Sequence, residues 1–261
     1  MSRLEHVLQE IASSAECRVG LCARVLQGPF EGEGVGVRED EAFPSASLIK
    51  VLVLAELLRQ ADSGRLLLED VVLVEHEDLV GNSEMLAGEW LPAEISYRRL
   101  AEGMIRVSDN AATNVLISRL GMGRIDALAR ELGLHRTALR RKMMDFEARA
   151  RGGENTTSAS DMVALMGEMW GGSLLSPEAR SLALELLLGQ RLTSGLPIML
   201  PAGARYAHKT GELKGVENDA GLILLPDRTF ALAVLVQGDV GPAAALVSSA
   251  TGAILARWAA L

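Results

Sequence analysis

Ser47 and Lys50 stand three residues apart in the stretch Phe43 to Gln60, where nearly every other side chain from Ser47 onward is apolar. A helix apolar on all faces is a buried one, and at a spacing of three the two polar side chains share a face. Desolvation disfavours the charged form of a lysine, so its amine can accept a proton from a neighbouring hydroxyl. The pattern suits a serine nucleophile with its base in the same helical turn. Alone, Ser-x-x-Lys fits better a helix-start serine beside a lysine that reaches solvent, so its weight comes from its company.

That company is Ser108-Asp109-Asn110 and Lys209-Thr210-Gly211. The first is a polar triplet with turn and capping chemistry inside the apolar tract Tyr97 to Leu120. The second lies on a β-like run that starts at Tyr206. In this order the three motifs are the signature of class A β-lactamases and penicillin-binding proteins. The chain resembles that penicillin-recognising serine hydrolase family over nearly its whole length. The resemblance implies that Ser47 is acylated, that Lys50 accepts a proton, and that Ser108 relays one to the leaving nitrogen. It implies that Asn110 orients substrate and Lys50, and that Lys209 with Thr210 binds a substrate carboxylate. The backbone N–H groups of Ser47 and Glu212 are the expected oxyanion donors, and Gly211 is expected to let the substrate backbone lie against its strand.

One loop departs from the family. Class A β-lactamases carry a Glu-x-x-Leu-Asn pattern there, whose glutamate and asparagine hold the hydrolytic water; residues 139–157 have no such pattern. Asp145, Glu147 and Glu154 are the nearby carboxylates, and Glu147 is the expected base by position, against a solvated carboxylate with no role. The reading is a β-lactamase-like hydrolase of a β-lactam or a similar amide or ester. The first alternative is a penicillin-binding D-alanyl-D-alanine peptidase or an intracellular esterase with the same acylation apparatus; the missing pattern keeps open a second, a binding or sensor module acylated once without turnover.

The elements that must hold these residues follow from the pattern. Residues 3 to 13 read as an amphipathic helix, and residues 17 to 26 alternate as a strand with Val19, Leu21, Ala23 and Val25 on one face. The glycines from Gly28 to Gly36 read as hairpin chemistry. Helices are expected from Ser47 to about Trp170, with an ordered loop at 139–157 and a capping box of Ser158 with Asp161 opening the next helix. Another runs from Pro177 to Leu188, then three strands around Tyr206–Gly211, Gly221–Leu225 and Phe230–Val236, and a closing helix. The expected fold is α/β (α+β): an antiparallel sheet built from both termini (1–42 and 190–261), flanked by helices, with an inserted all-α domain (43–189) and the site between.

With 261 residues, 49% hydrophobic and 23% charged, the chain can bury a substantial core. A net charge of −8 and a pI near 5.2 argue against a nucleic-acid partner. Cys17 and Cys22, five apart on one strand, face opposite sides, so a disulfide is not expected and a reducing compartment fits. No secretory pattern opens the sequence and the Phe43–Gln60 helix is too short to span a bilayer, so the expectation is a cytoplasmic monomer off the membrane, or a periplasmic or secreted one if a leader has been removed. His208 is expected to be structural, and no cofactor or metal is implied.

Overall fold

The computed structural model describes residues 3–13 and 17–259; the first residues read for an export signal and the end of the closing helix lie outside the described residues. Helix α1 (Arg3–Ser13) leads into β1 (Cys17–Gln27), which pairs antiparallel with β2 (Gly34–Val37). A short strand β3 (Phe43–Pro44) precedes a 3-10 turn at Ala46–Leu48 and helix α2 (Ile49–Asp62). Next come β4 (Val71–Val74), α3 (Glu84–Ala87), β5 (Ala93–Ser96), α4 (Tyr97–Arg106), α5 (Asn110–Leu120) and α6 (Met122–Glu131). The loop read at 139–157 contains α7 (Phe146–Ala150) and β6 (Thr156–Thr157), the latter paired with β3. The chain continues through α8 (Ala159–Gly171), α9 (Pro177–Leu188), β7 (Arg205–Leu213), β8 (Val216–Leu224), β9 (Thr229–Gly238) and α10 (Val240–Ala259).

The main sheet is antiparallel with the order β2-β1-β9-β8-β7, so strands from the two ends of the chain meet at β1 and β9. Alternation along β1 decides which side each residue serves. Val19, Leu21, Ala23 and Val25 join the apolar layer under α1 and α10, while Cys22 joins the layer under α2, α5, α8 and α9; Cys17 lies with the first group. Helix α2 runs through the second layer with Ile49 to Leu58 all buried, including Lys50 and Glu56. Glu56 is tolerated because Gln60 donates to it and Arg59 pairs with it at 2.8 Å.

Two capped helices match the pattern closely. Pro177 opens α9 behind the N-cap Ser176, and Ser158 caps α8 by accepting from the Asp161 N–H. The reciprocal half of the expected capping box is absent, because the Asp161 carboxylate accepts from Arg136 N–H and the Thr137 hydroxyl instead. The β4–β5 ladder was not legible in a region that read as helical. Helix α10 is long and apolar enough between Val240 and Trp258 to cross a membrane by length and composition; here Ala243, Val247, Ala250, Ile254 and Trp258 are buried in the layer it shares with α1 and the sheet.

Candidate active site

Ser47 sits in the 3-10 turn and lines a cleft of about 680 Å³, while Lys50, in the first turn of α2, is fully buried. Strand β7 forms one wall, with Thr210, Glu212 and Leu213. The Ser108-Asp109-Asn110 turn forms the second, and Arg141, Met143, Met144, Phe146 and Asn155 form the third. The volume suits a small organic ligand.

The Ser108–Asn110 turn is fixed by Asp109, which is fully buried. One carboxylate oxygen accepts from Ala112 N–H at 2.8 Å as the N-cap of α5, and the other from Met85 and Leu86 N–H at 3.0 and 3.1 Å. This three-way acceptor locks the turn between α4 and α5 to α3, and holds Ser108 in the left-handed region at φ 57°. Five non-glycine residues have such φ values among the described residues, and four of them, Ala46, Asn82, Ser108 and Met144, line the cleft. Backbone strain of roughly 1–3 kcal/mol per residue is thus concentrated where chemistry would occur.

Ser108 joins the two lysines. Lys50 Nζ donates to Ser108 O at 2.7 Å, Ser108 Oγ at 3.0 Å and Asn110 Oδ1 at 2.8 Å, while the Asn110 amide donates to Gly81 O. Lys209 Nζ donates to the same Ser108 Oγ at 3.1 Å and to Thr210 O at 2.8 Å. Burial, and next the charge of Lys209, push the Lys50 amine well below its ordinary value, with Asp109 opposing. Burial lowers Lys209 to about 7, against the pull of Asp219. The structure therefore brings together Ser47, Lys50, Ser108, Asn110, Lys209, Thr210 and Glu212.

Gly211 has a different reason to be glycine from the expected one. A β-carbon there would lie 3.0–3.1 Å from Ser45 O, Ser47 N and Leu48 N, so it is the helix start that approaches the strand. This contact sets the Ser47 N–H beside the Gly211–Glu212 backbone, as an oxyanion pair requires. Asn218, opposite Gly211 on β8, completes the clamp by donating to Pro44 O and Ser45 O.

Glu147 is not brought to the cleft. Phe146 points into it, and the next residue on α7 turns about 100° away; the Glu147 side chain is 88% exposed and pairs with Arg151. Asp145 caps α7 through Ala148 N–H, and Glu154 is held by Arg141 and Arg149 at 2.7 and 2.6 Å. The carboxylates that do line the cleft are Glu84, Glu212 and Glu217.

The sequence reading also missed the groups behind β7. Asp219, opposite Thr210, is buried and takes hydrogen bonds from Ser194 Oγ at 2.6 Å and Tyr206 Oη at 3.1 Å, and pairs with His208 Nδ1 at 2.9 Å. His208 stacks on Tyr206 at 4.3 Å between ring centroids. The signal for this group was available: Glu217-Asn218-Asp219 is a polar run leading into an apolar strand. Asn155 was missed as well; its Oδ1 takes the N–H groups of Arg140 and Arg141 and shapes the third wall.

The Lys209 amine has a consequence for stability. Between pH 7 and its ordinary 10.5 the folded chain binds fewer protons at this site than the unfolded chain. Stability therefore rises with pH across that window, and the unfavourable burial is fully felt below it. Lys50 acts in the same direction. The urea midpoint of Lys209→Met is expected to rise less between pH 7 and 9.5 than that of the unaltered protein; equal rises would show that the amine is not desolvated.

The model of the beta-lactamase enzyme family matches residues 3–258. A beta-lactamase of Streptomyces lavendulae is 30% identical over 263 residues, covering 94% of this chain and 85% of its own length. One of Streptomyces albus G is 30% identical over 245 residues, covering 87% and 74%. Among solved structures, a single-residue variant of PBP-A in an acyl-enzyme complex with penicillin G superposes with a TM-score of 0.89 at 27% identity, covering 99% of this chain and 97% of that one. A beta-lactamase from Sphaerobacter thermophilus gives 0.85 at 26% identity, covering 99% and 97%. With the three motifs gathered on one cleft, the chain belongs to the beta-lactamase enzyme family and is a serine hydrolase of the β-lactamase type.

Proposed function

We propose that Ser47 attacks the carbonyl of a β-lactam or a related amide or ester and carries the acyl group as an ester. The observation that carries this reading is the Ser108 hydroxyl held between two lysine amines, 3.0 and 3.1 Å from Lys50 and Lys209. A hydroxyl has two acceptor positions and one donor. With both acceptor positions taken by amines, its own proton is directed elsewhere, toward the leaving nitrogen.

In the first step Lys50, neutral and therefore donating to only two of its three neighbouring oxygens, takes the Ser47 proton on its lone pair as Oγ bonds to the carbonyl carbon, and the developing oxyanion is received by the N–H groups of Ser47 and Glu212. When the C–N bond breaks, the leaving nitrogen takes the Ser108 proton and Ser108 recovers one from Lys50. Lys209 and Thr210 receive a substrate carboxylate, and Asn110 holds Lys50 in line. The penicillin G ester of the PBP-A variant supports a β-lactam as acyl donor. The same reading takes the protein as a monomer that acts off the membrane, with the apolar face of α10 spent on the sheet.

Incubation with a penicillin is expected to add the mass of one intact acyl group to the protein and none to Ser47→Ala. The wall built from Arg141, Met143, Met144, Phe146 and Asn155 offers no carboxylate to activate water. Base assistance contributes about 10²–10⁴ in rate, so product should appear as a burst of one equivalent followed by slow turnover. An adduct on the alanine variant would remove Ser47 from its role; fast linear turnover without a burst would show that a base exists elsewhere.

A further inference from the structure

We propose that Glu212 and Glu217 select acyl donors carrying a cationic group, an ammonium or guanidinium, on the part of the molecule that passes Glu212 along β7. The proposal rests on the acyl-transfer reading above and concerns which substrates the same cleft accepts.

The two residues are directly opposite each other in the β7–β8 register and both line the cleft that holds Ser47. Facing pairs in an antiparallel ladder place their β-carbons about 4.5–5.5 Å apart, and like charges there are unfavourable. Among the described residues, no lysine, arginine or histidine forms an ion pair with either carboxylate, and the side-chain hydrogen bond of Glu217 is the one its Oε1 accepts from Gly195 N–H at 2.7 Å. That bond fixes the carboxylate at the cleft wall. Burial, and next the charges of Glu212 and Asp219, raise the Glu217 carboxyl against the effect of the Gly195 bond, as expected of an anion lacking a counter-charge.

Among the described residues, none of the cations at the cleft forms an ion pair with Glu212 or Glu217, and this includes Arg191. Arg141 is taken by Glu154, and Lys50 and Lys209 are fully buried and hydrogen-bonded to Ser108, with Lys209 on the far side of Thr210 from Glu212 in the sequence of the strand. Arg191 and Glu84 also line the cleft and both border an adjoining cavity with Arg99, Glu102 and Arg106. The oxyanion position between Ser47 and Glu212 fixes where the carbonyl sits, so an acyl group extending along β7 passes this carboxylate pair. A cation there gains two partners; an anion meets two like charges.

The test uses three phenyl esters with acyl groups of matched size, bearing an ammonium, a neutral isostere and a carboxylate. Acylation is followed by released phenol and by the mass of the Ser47 adduct. The expected order of kcat/KM is ammonium, then neutral, then carboxylate, with steps on the order of tenfold. Glu217→Gln should shrink the ammonium-to-neutral ratio, and Glu212→Gln with Glu217→Gln should bring it near one. Glu84→Gln should leave that ratio as it is. Equal labelling by the ammonium and neutral esters, or a preference that survives the double variant, overturns the proposal while the acyl-transfer reading stands. Absence of any Ser47 adduct overturns that reading, and the proposal with it.

Discussion

Lys50→Ala is expected to slow acylation of Ser47 by about 10³-fold or more, near the upper range for loss of a positioned base. The amine touches Ser108 O, Ser108 Oγ and Asn110 Oδ1, so its removal cuts the proton path at its first member. Stability should change much less. Three acceptors lose a donor and one of them, Ser108 Oγ, keeps Lys209, so two are left at about 1–3 kcal/mol each, while a buried amine and its repulsion with Lys209 disappear. Stopped-flow or quenched-mass measurement of adduct formation with a penicillin, beside urea unfolding, separates the two. Acylation within threefold of the unaltered protein would mean another base serves Ser47.

Asp109→Ala should have the opposite profile, with loss of stability first. Its carboxylate accepts three backbone N–H groups from two elements. Two buried donors and a part-buried one without partners, at about 1–3 kcal/mol each, predict a loss of roughly 4 kcal/mol, and the Ser108 turn loses its anchor. Asp109→Asn keeps one acceptor oxygen and should lose about half as much. A fall below about 1 kcal/mol in urea unfolding would show that water or a shifted turn replaces the carboxylate.

The parts of this fold that were legible are those where local pattern and tertiary role agree. The uninterrupted apolar run of α2 and the alternation of β1 state their burial directly, and Pro177 marks the start of α9. Legibility failed where the roles diverge. Strand β4 leaves Val71 and Leu73 half exposed, so four apolar residues in a row carried no face to read. The first half of β8 hides behind Glu217, Asn218 and Asp219, polar because the site uses them. Ser-x-x-Lys, Ser-Asp-Asn and Lys-Thr-Gly could be found because each motif is short and contiguous. Glu147 failed because position along a loop does not say where a one-and-a-half-turn helix will point its next side chain.

The pairing of β1 with β9 joins residues more than 200 positions apart, as in Leu21 with Val234. During synthesis at about 5–20 residues per second, β1 waits roughly 10–40 s for its partner. Its apolar residues and the underside of α2 stay uncovered meanwhile. Such non-local closure makes folding slow and exposes the growing chain to aggregation. Substitutions along the β1–β9 seam should therefore show first as a lower yield of soluble protein at higher temperature, before any change in the unfolding midpoint of the molecules that do fold.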